Sequence, residues 1–244
     1  MFRDELIATA EMYPSLINKY SRHIEKAIHL THRFNLDLQN SIIDVGAGKG
    51  EFTSMFAKAF VNAKIYAFEP IRENFEEVKK SCSGIPNVIL VNKALGAKPS
   101  HDEINLASNI NASSLFELKT NDKRVIFSQN VVLTGKETIT VSMMDTEIPS
   151  SEKINILKLD VQGYEAEVLK GGETTLKNTS IVVCEVSNHN HYVKGAKYFQ
   201  VDEFLRLSGF TLFNFYPANV ENEQLCEWDC IYVKNDILKE SDLL

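Results

Sequence analysis

An α/β fold with a mostly parallel sheet is predicted by three features of the 244-residue sequence. Short β-branched runs at residues 41–45, 64–68 and 87–92 alternate with segments of helical periodicity. A glycine-rich turn, "DVGAGKG", joins the first run to the first of these helices. The composition, 44% hydrophobic and 24% charged, is that of a globular chain with a substantial core. Together these features indicate βαβ units.

The N-terminal part of the chain is predicted to be helical. Between Asp4 and Leu38 apolar residues recur three and four positions apart, and Pro14 interrupts the pattern. Strands and helices then alternate, with helices expected over residues 50–60 and 72–81 between the three β-branched runs.

Residues 101–142 break this alternation. The runs "HDEINLA", "NVVLT" and "ETITVSM" are predicted to be short strands, with a tight turn at Thr134-Gly135-Lys136 between the last two. We expect an antiparallel hairpin inserted at the edge or top of the sheet. The alternation returns with "INILKLDV", a helix over 163–170, "SIVVCEV", a helix over 201–207, "FTLFNFY" and "CIYVK".

Charge and hydropathy exclude several classes of partner. The net charge of −7 argues against a nucleic-acid binder, which usually presents a basic face. No apolar run reaches the roughly 18 residues that a membrane span needs, and the first residues lack a signal-peptide pattern. We therefore expect a cytoplasmic protein with no nucleic-acid or membrane partner.

The glycine turn is predicted to hold a ligand by its backbone. Gly46, Ala47 and Gly48 follow a buried strand and open a helix, but Glu51 fills the third glycine position of a dinucleotide fingerprint. A carboxylate there repels a pyrophosphate, and Asp44 adds a second negative charge. S-adenosylmethionine, which carries an ammonium and a sulfonium and has no phosphate, fits better. A nucleotide-dependent oxidoreductase is correspondingly disfavoured.

Residues at the ends of the next two strands extend the predicted cofactor site. Glu69 lies a little over twenty residues after the glycine turn, where a carboxylate can accept hydrogen bonds from both ribose hydroxyls. Pro70 follows it directly, and Asn92 ends the third strand, where its position favours contact with the adenine. The predicted cofactor-binding residues are thus Asp44, Gly46, Ala47, Gly48, Glu51, Glu69, Pro70, Asn92 and, from the strand "INILKL", Asp160.

Four segments carry a resemblance to a known family. The segments "IIDVGAGKGEFT", "FEP", "INILKLDVQGYEAEVLKGG" and the glutamate of "IVVCEVS" closely resemble the FkbM family of S-adenosylmethionine-dependent methyltransferases, over about Ser41 to Val233. The resemblance implies a Rossmann-like class I methyltransferase fold, with a mostly parallel seven-stranded sheet whose last strand is antiparallel. It also implies methyl transfer to a hydroxyl of a sugar or secondary metabolite. Gln162 departs from the family, where many members have Glu.

The resemblance also divides the chain. Residues 1–40 lie outside it and are predicted to form a helical N-terminal extension, a lid or an acceptor-side wall, whereas residues 41–244 form the methyltransferase domain. The expected partner is a small-molecule or glycan acceptor, and a homodimer is left open.

Candidate catalytic residues lie near the predicted switch point of the sheet. An alcohol must lose its proton as it attacks the methyl carbon, so a base or a metal helps. Asp160 could be the base, a metal ligand or an anchor for the methionine end, or it could only cap a helix. Glu185 lies in an apolar run, where an unpaired carboxylate is costly, and His189 and His191 follow it.

Two alternatives remain open at this stage. The same acidic and histidine residues could hold a divalent cation, but no compact ligand spacing supports this, and a metal is not favoured. The chain could also be a non-catalytic module that binds S-adenosylmethionine. We favour the enzyme, because a module without activity would have no need of Asp160, Glu185 and the histidines.

Overall fold

The computed structural model describes residues 21–108, 113–117, 132–188, 192–221 and 223–243. Ten strands lie in these segments. They are β1 (Ser41–Val45), β2 (Ile65–Phe68), β3 (Val88–Val91), β4 (Ala94–Leu95), β5 (Ser100–Ala107), β6 (Leu133–Ser142), β7 (Ile154–Leu159), β8 (Thr179–Ser187), β9 (Phe210–Glu221) and β10 (Gln224–Lys234).

The described residues also form eight helices. They are α1 (Arg22–Arg33), α2 (Glu51–Ala59), α3 (Arg72–Ser81), α4 (Met144–Glu147), α5 (Glu165–Lys170), α6 (Glu173–Lys177), α7 (Tyr198–Leu207) and α8 (Asn235–Glu240). The predicted helix over 201–207 begins three residues earlier than expected, at Tyr198.

Seven strands form one sheet in the order β3-β2-β1-β7-β8-β10-β9. The first five of these are parallel, whereas β10 runs antiparallel to both β8 and β9. The predicted seven-stranded sheet with an antiparallel last strand is therefore confirmed. The chain progresses outward in one direction from β1 to β3 and in the other from β7 to β8, which makes the β1–β7 boundary the switch point. Ligands of open α/β sheets lie beyond the carboxyl ends of the strands at this point.

The sheet is buried on both faces, which explains why its central strands are apolar along their whole length. Side chains alternate between the faces: Ile42 of β1 packs with α1 and α2, and Ile43 packs with α5 and α7. Both side chains are fully buried. The result is a three-layer α/β arrangement, as the sequence predicts.

The N-terminal helix α1 packs onto the sheet. Ile24, Ala27 and Leu30 are fully buried in the core cluster that also contains Phe56 of α2. Their spacing of three to six residues places them on one face of the helix. The predicted helicity is thus confirmed for residues 22–33 and is wrong for residues 34–38, because the helix ends at Arg33 and Asn35 adopts a left-handed φ of 50°. Residues 1–20 lie outside the described part, and the role of lid or wall stays a prediction.

A second sheet of three strands, in the order β4-β6-β5, contains the inserted segment. The hairpin predicted between "NVVLT" and "ETITVSM" is wrong: β6 is one continuous strand from Leu133 to Ser142, and its antiparallel partner is β5. The tight turn predicted at residues 134–136 is wrong, because β6 continues through it: Asn105 pairs with Lys136 and Leu106 with Gly135. The hydrogen bonds between β5 and β6 outweigh the tendency of Gly135 to form a turn. The pairing of these two strands is irregular only after Leu106, where the register shifts.

No helix in the described ranges is both long enough and apolar enough to cross a bilayer.

Candidate active site

A cavity of about 620 Å³ opens where β1, β2, β7 and β8 end and β10 begins. This volume lies within the usual range for small-molecule sites. The lining has two regions, which we call the cofactor end and the acidic end. The cofactor end contains Gly46, Ala47, Gly48, Glu51, Glu69, Pro70 and Asn74, and the acidic end contains His23, Asp160, Gln162, Glu185, Glu227 and Asp229.

The glycine turn is fixed by its backbone geometry. Gly46, Gly48 and Gly50 have φ angles of 79°, 56° and 84°, in the left-handed region that favours glycine. A Cβ at Gly46 would lie 1.9 Å from the carbonyl oxygen of Asp160, so no larger residue fits there. The amides of Gly46 and Ala47 both donate to the carbonyl of Phe68 at 3.0 Å. These contacts hold the turn against the end of β2.

Glu69 connects the glycine turn to the next strand end. Its Oε2 accepts the amide hydrogen of Gly48 at 2.9 Å, and its Oε1 accepts that of Ile71 at 2.9 Å. The side chain of Asn74 lies close to this carboxylate. Burial raises the pKa of Glu69 to about 7, although the two amides and Asn74 lower it. Since a carboxylate has about four lone-pair sites, acceptor capacity remains for a ligand.

Two predicted cofactor contacts have other partners. Asp44 is completely buried, is absent from the cavity lining, and accepts a hydrogen bond from the hydroxyl of Thr53 at 2.6 Å. The side-chain amide of Asn92 donates to the carbonyls of Glu69 and Pro70 at 2.8 and 3.0 Å, and Asn92 is also absent from the lining. The contacts of Asp44 and Asn92 with a cofactor stay predictions, and in this structure both side chains are held by protein groups around the cofactor end.

The partner of Asp44 is Lys158, which the sequence prediction missed. Its Nζ lies 3.0 Å from Asp44 Oδ1, donates to the carbonyl of Gly46 at 3.2 Å, and lies 3.7 Å from Asp160 Oδ2. Burial alone would lower the pKa of Lys158, but the charges of Asp44 and Asp160 outweigh this and raise it. The lysine is thus charged and joins the glycine turn to the end of β7. The sequence did contain a signal for this residue, because a lysine inside the apolar strand "INILKL" needs a buried partner.

Asp160 and Glu185, both predicted to be catalytic, meet at the acidic end through Gln162. The side-chain amide of Gln162 donates to Asp160 Oδ1 and to Glu185 Oε2, both at 2.9 Å. Its own carbonyl oxygen accepts the hydroxyl hydrogen of Tyr192 at 3.0 Å. Gln162, which stands where many family members have Glu, therefore donates one hydrogen bond to each of two carboxylates.

Burial and mutual repulsion raise the pKa values of two acids at the acidic end. Burial, followed by the charge of Asp160, raises the pKa of Glu185 well above its ordinary value. The same two causes raise the pKa of Asp229 to about 7. Perturbed acids in a cavity are typical of functional sites, although structural networks produce them too.

A histidine does face this cavity, but it belongs to α1. His23 lines the acidic end, and its Nδ1 lies 3.1 Å from Asp229 Oδ2. The ring of Phe52 packs edge-on against it at 5.6 Å. The sequence prediction missed both members of this pair, and a histidine on the buried face of an amphipathic helix was the only signal. The predicted His189 and His191 lie outside the described residues.

Within the segments that the structure describes, no group of three or more His, Cys, Asp or Glu side chains is arranged to hold a metal ion. Lys158 and the side chain of Gln162 instead neutralise or bind the acids around them. The geometry thus offers a site for an organic ligand, with a backbone cradle at one end and proton-accepting groups at the other.

The chain is similar to known methyltransferases. The family model of the methyltransferase FkbM domain matches residues 44–212. The hexuronic acid methyltransferase AglP of Haloferax volcanii is 26% identical over 144 residues, 59% of this chain and 54% of that protein. The methyltransferase sdnD of Sordaria araneosa is 27% identical over 195 residues, 68% of this chain and 75% of that protein.

The chain was also compared with solved structures. The methyltransferase FkbM of Methylobacillus flagellatus is 13% identical, with a TM-score of 0.46, and the match covers 94% of this chain and 59% of that one. The chain thus spans little more than half the length of this protein and of the Haloferax relative. Since the family model matches well over half of the chain, the protein belongs to the FkbM methyltransferase domain family.

Proposed function

We propose that the protein is an S-adenosylmethionine-dependent methyltransferase that acts on a hydroxyl oxygen of a sugar or secondary metabolite. The observation that carries the proposal is the carboxylate of Glu69, which is fixed by the amide of Gly48 beside a cavity of about 620 Å³. When bound, S-adenosylmethionine supplies a methyl group on a good leaving group. The residues present fit this cofactor, because Glu69 offers acceptors for ribose hydroxyls and Glu51 at the start of α2 would repel a pyrophosphate.

The cofactor end would hold the nucleoside, and the acidic end would hold the reacting atoms. Gly48 allows close approach of a ligand, since nothing lies within 4 Å of the position that a Cβ would take. Glu51 and Asp160 line the cavity on either side of the turn and favour the positive charges of the amino-acid end. The predicted roles of Glu51, Pro70 and Asp160 as cofactor contacts are retained in this proposal.

The composition of the acidic end supports a hydroxyl as the acceptor. A carboxylate acceptor is already ionised at neutral pH and needs no base, and it would be repelled by the charges of Asp160 and Glu227. An alcohol must instead lose a proton, and this end of the cavity is rich in proton acceptors. The relatives are named as a hexuronic acid methyltransferase and a methyltransferase, which agrees with a sugar or small metabolite here.

The test is transfer of isotope-labelled methyl from S-adenosylmethionine to defined acceptors. Methyl glucoside, methyl glucuronoside and a metabolite extract would each be incubated with the protein, and S-adenosylhomocysteine and labelled product would be measured by mass spectrometry. We expect a labelled ether on a neutral hydroxyl. Label found only on the carboxylate of the glucuronoside would contradict the choice of a hydroxyl.

The second candidate, a non-catalytic module that binds S-adenosylmethionine, makes a different prediction. Such a module would bind the cofactor and its demethylated product but would yield no labelled product with any acceptor. The His23–Asp229 pair favours the enzyme, because two titratable groups at the far end of the cavity add nothing to the binding of the nucleoside.

A further inference from the structure

We propose that His23 is the base that takes the proton from the acceptor hydroxyl, and that Asp229 positions it. This inference rests on the proposed function and adds the residue that performs the proton transfer. It also gives helix α1, which lies outside the matched region 44–212, a direct part in the chemistry.

The placement of His23 in the cavity is the first argument. Its helix begins at Arg22, and Ile24, Ala27 and Leu30 fix that helix on the sheet by their burial. His23 is itself 8% exposed, and the small exposed part lines the acidic end. The packing of the hydrophobic face of α1 therefore fixes the position of the imidazole. A general base must be held in a fixed position in this way.

The contact with Asp229 is the second argument. At 3.1 Å, Nδ1–H can donate to Asp229 Oδ2, which leaves Nε2 with a lone pair to accept a proton. Asp229 is fixed in β10, where it pairs with Glu185 of β8 in the sheet register. Such a carboxylate accepts the hydrogen bond of one ring nitrogen. It also stabilises the imidazolium that forms when the second ring nitrogen accepts a proton.

The electrostatic surroundings agree with this role. Burial, followed by the charge of Lys158 on β7, lowers the pKa of His23 to about 4, whereas Asp160 at the end of β7 raises it. The ring is therefore neutral at neutral pH and able to accept a proton. Glu185 of β8 and Glu227 of β10 line the same end of the cavity.

The proton transfer accompanies the transfer of the methyl group. His23 Nε2 takes the hydroxyl proton while the acceptor oxygen bonds to the methyl carbon. The carbon–sulfur bond of the donor breaks, and its electron pair stays on sulfur. The products are an ether, a neutral thioether and the imidazolium of His23, which then releases its proton to water.

The first test is the tautomer of His23, which needs no acceptor. Two-dimensional ¹⁵N–¹H spectra of the full chain at pH 8, with and without S-adenosylhomocysteine, would be assigned by the signal lost in His23→Gln. We expect a neutral ring protonated on Nδ1 at this pH, where Asp229 is ionised. Asp229→Asn should convert it to the Nε2–H form, because an amide turns its donor toward Nδ1. A cationic ring or an Nε2–H ring in the wild type would overturn the assignment.

The second test uses turnover with the methyl glycosides described above. His23→Gln and His23→Ala should lower turnover by about 100-fold or more while leaving the affinity for S-adenosylhomocysteine unchanged. Added imidazole should restore part of the activity of His23→Ala, which a purely structural role would not allow. His32→Ala, on the exposed face of the same helix, is the matched control and should behave as the wild type.

The outcomes separate the two proposals. Failure of the wild type to bind S-adenosylhomocysteine would overturn the proposed function. Binding and turnover by the wild type, with unchanged turnover in His23→Gln, would overturn only the role of His23.

Discussion

Lys158 Nζ lies 3.0 Å from Asp44 Oδ1, and the two side chains are 3% and 0% exposed. They are also partners in the parallel register of β1 and β7, at the switch point of the sheet. Because Lys158 also donates a hydrogen bond to the carbonyl of Gly46, this ion pair stabilises the glycine turn. The fold and the cofactor end of the cavity thus depend on the same two charges.

Lys158→Met should destabilise the protein strongly. Removal of the ammonium leaves the carboxylate of Asp44 buried and uncompensated, and the breaking of a buried pair typically costs about 3–5 kcal/mol. Urea unfolding would measure the loss, and Asp44→Asn in the same chain should recover part of it. The matched control is Lys80→Met, which breaks an exposed pair with Glu77 and should leave the stability close to that of the wild type. Equal losses in the two single variants would contradict the account.

Two glycines of the same turn should respond differently to alanine. Gly46→Ala would place a Cβ 1.9 Å from the carbonyl oxygen of Asp160, so we expect a chain that fails to fold or unfolds at much lower temperature. Gly48→Ala has open space for its Cβ and costs only the strain of a left-handed backbone, about 1 kcal/mol. It should fold but bind S-adenosylhomocysteine poorly, because the methyl group enters the cavity. Thermal unfolding and calorimetry would separate the effects, and normal cofactor affinity in Gly48→Ala would exclude close approach at this turn.

Cofactor affinity should weaken as the pH falls through the titration of Glu69. Burial raises its pKa to about 7, so the carboxylate is ionised at pH 8 and largely protonated at pH 6. Ribose hydroxyls bind the ionised form better, so the affinity for S-adenosylhomocysteine should fall by up to about tenfold per pH unit below 7. Calorimetry at pH 6, 7 and 8 measures this. Glu69→Gln should bind weakly at all three values, whereas Asp229→Asn should keep the dependence. A wild-type affinity that is flat with pH would remove Glu69 from the ribose site.

Gln162→Glu should destabilise the protein in a pH-dependent way. It removes the donors to Asp160 and Glu185 and adds a third carboxylate beside them. An acid whose pKa is raised by folding, as that of Glu185 is by burial and by Asp160, adds stability at low pH and loses it as the pH rises. The deficit relative to the wild type should thus be about 2–4 kcal/mol at pH 8 and smaller at pH 5.

Urea unfolding at the two pH values tests this, with Gln39→Glu as the exposed control, which should stay within about 0.5 kcal/mol of the wild type. A deficit in Gln162→Glu that grows as the pH falls would contradict the predicted sign.

The sequence predicted those features whose signal is local. The glycine turn, Glu69 and Asp160 each follow a strand directly, and the carboxyl ends of parallel strands meet at one edge of a sheet. The antiparallel strand came from the family resemblance. The turn at residues 134–136 was wrong because pairing with β5, some thirty residues away, decided the conformation of Gly135.

The missed residues depend on contacts between distant parts of the chain. Lys158 is buried only because Asp44, more than a hundred residues earlier, neutralises it. His23 and Asp229 lie at opposite ends of the chain and meet only when α1 packs beside β10. Neither position belongs to a spaced motif. Periodicity assigned His23 to a helix, and Asp229 lay just before the predicted strand "CIYVK", so no sequence signal joined the two.

The most direct test of the central claim is calorimetric titration of the protein with S-adenosylmethionine, S-adenosylhomocysteine and NAD. Glu69 and the open turn at Gly48 offer acceptors to a ribose and close approach to a ligand, whereas Glu51 at the start of α2 repels a pyrophosphate. We expect micromolar affinity for the first two ligands, about −8 kcal/mol, and no measurable binding of NAD. Tighter binding of NAD, with no heat from S-adenosylmethionine or S-adenosylhomocysteine, would contradict the account.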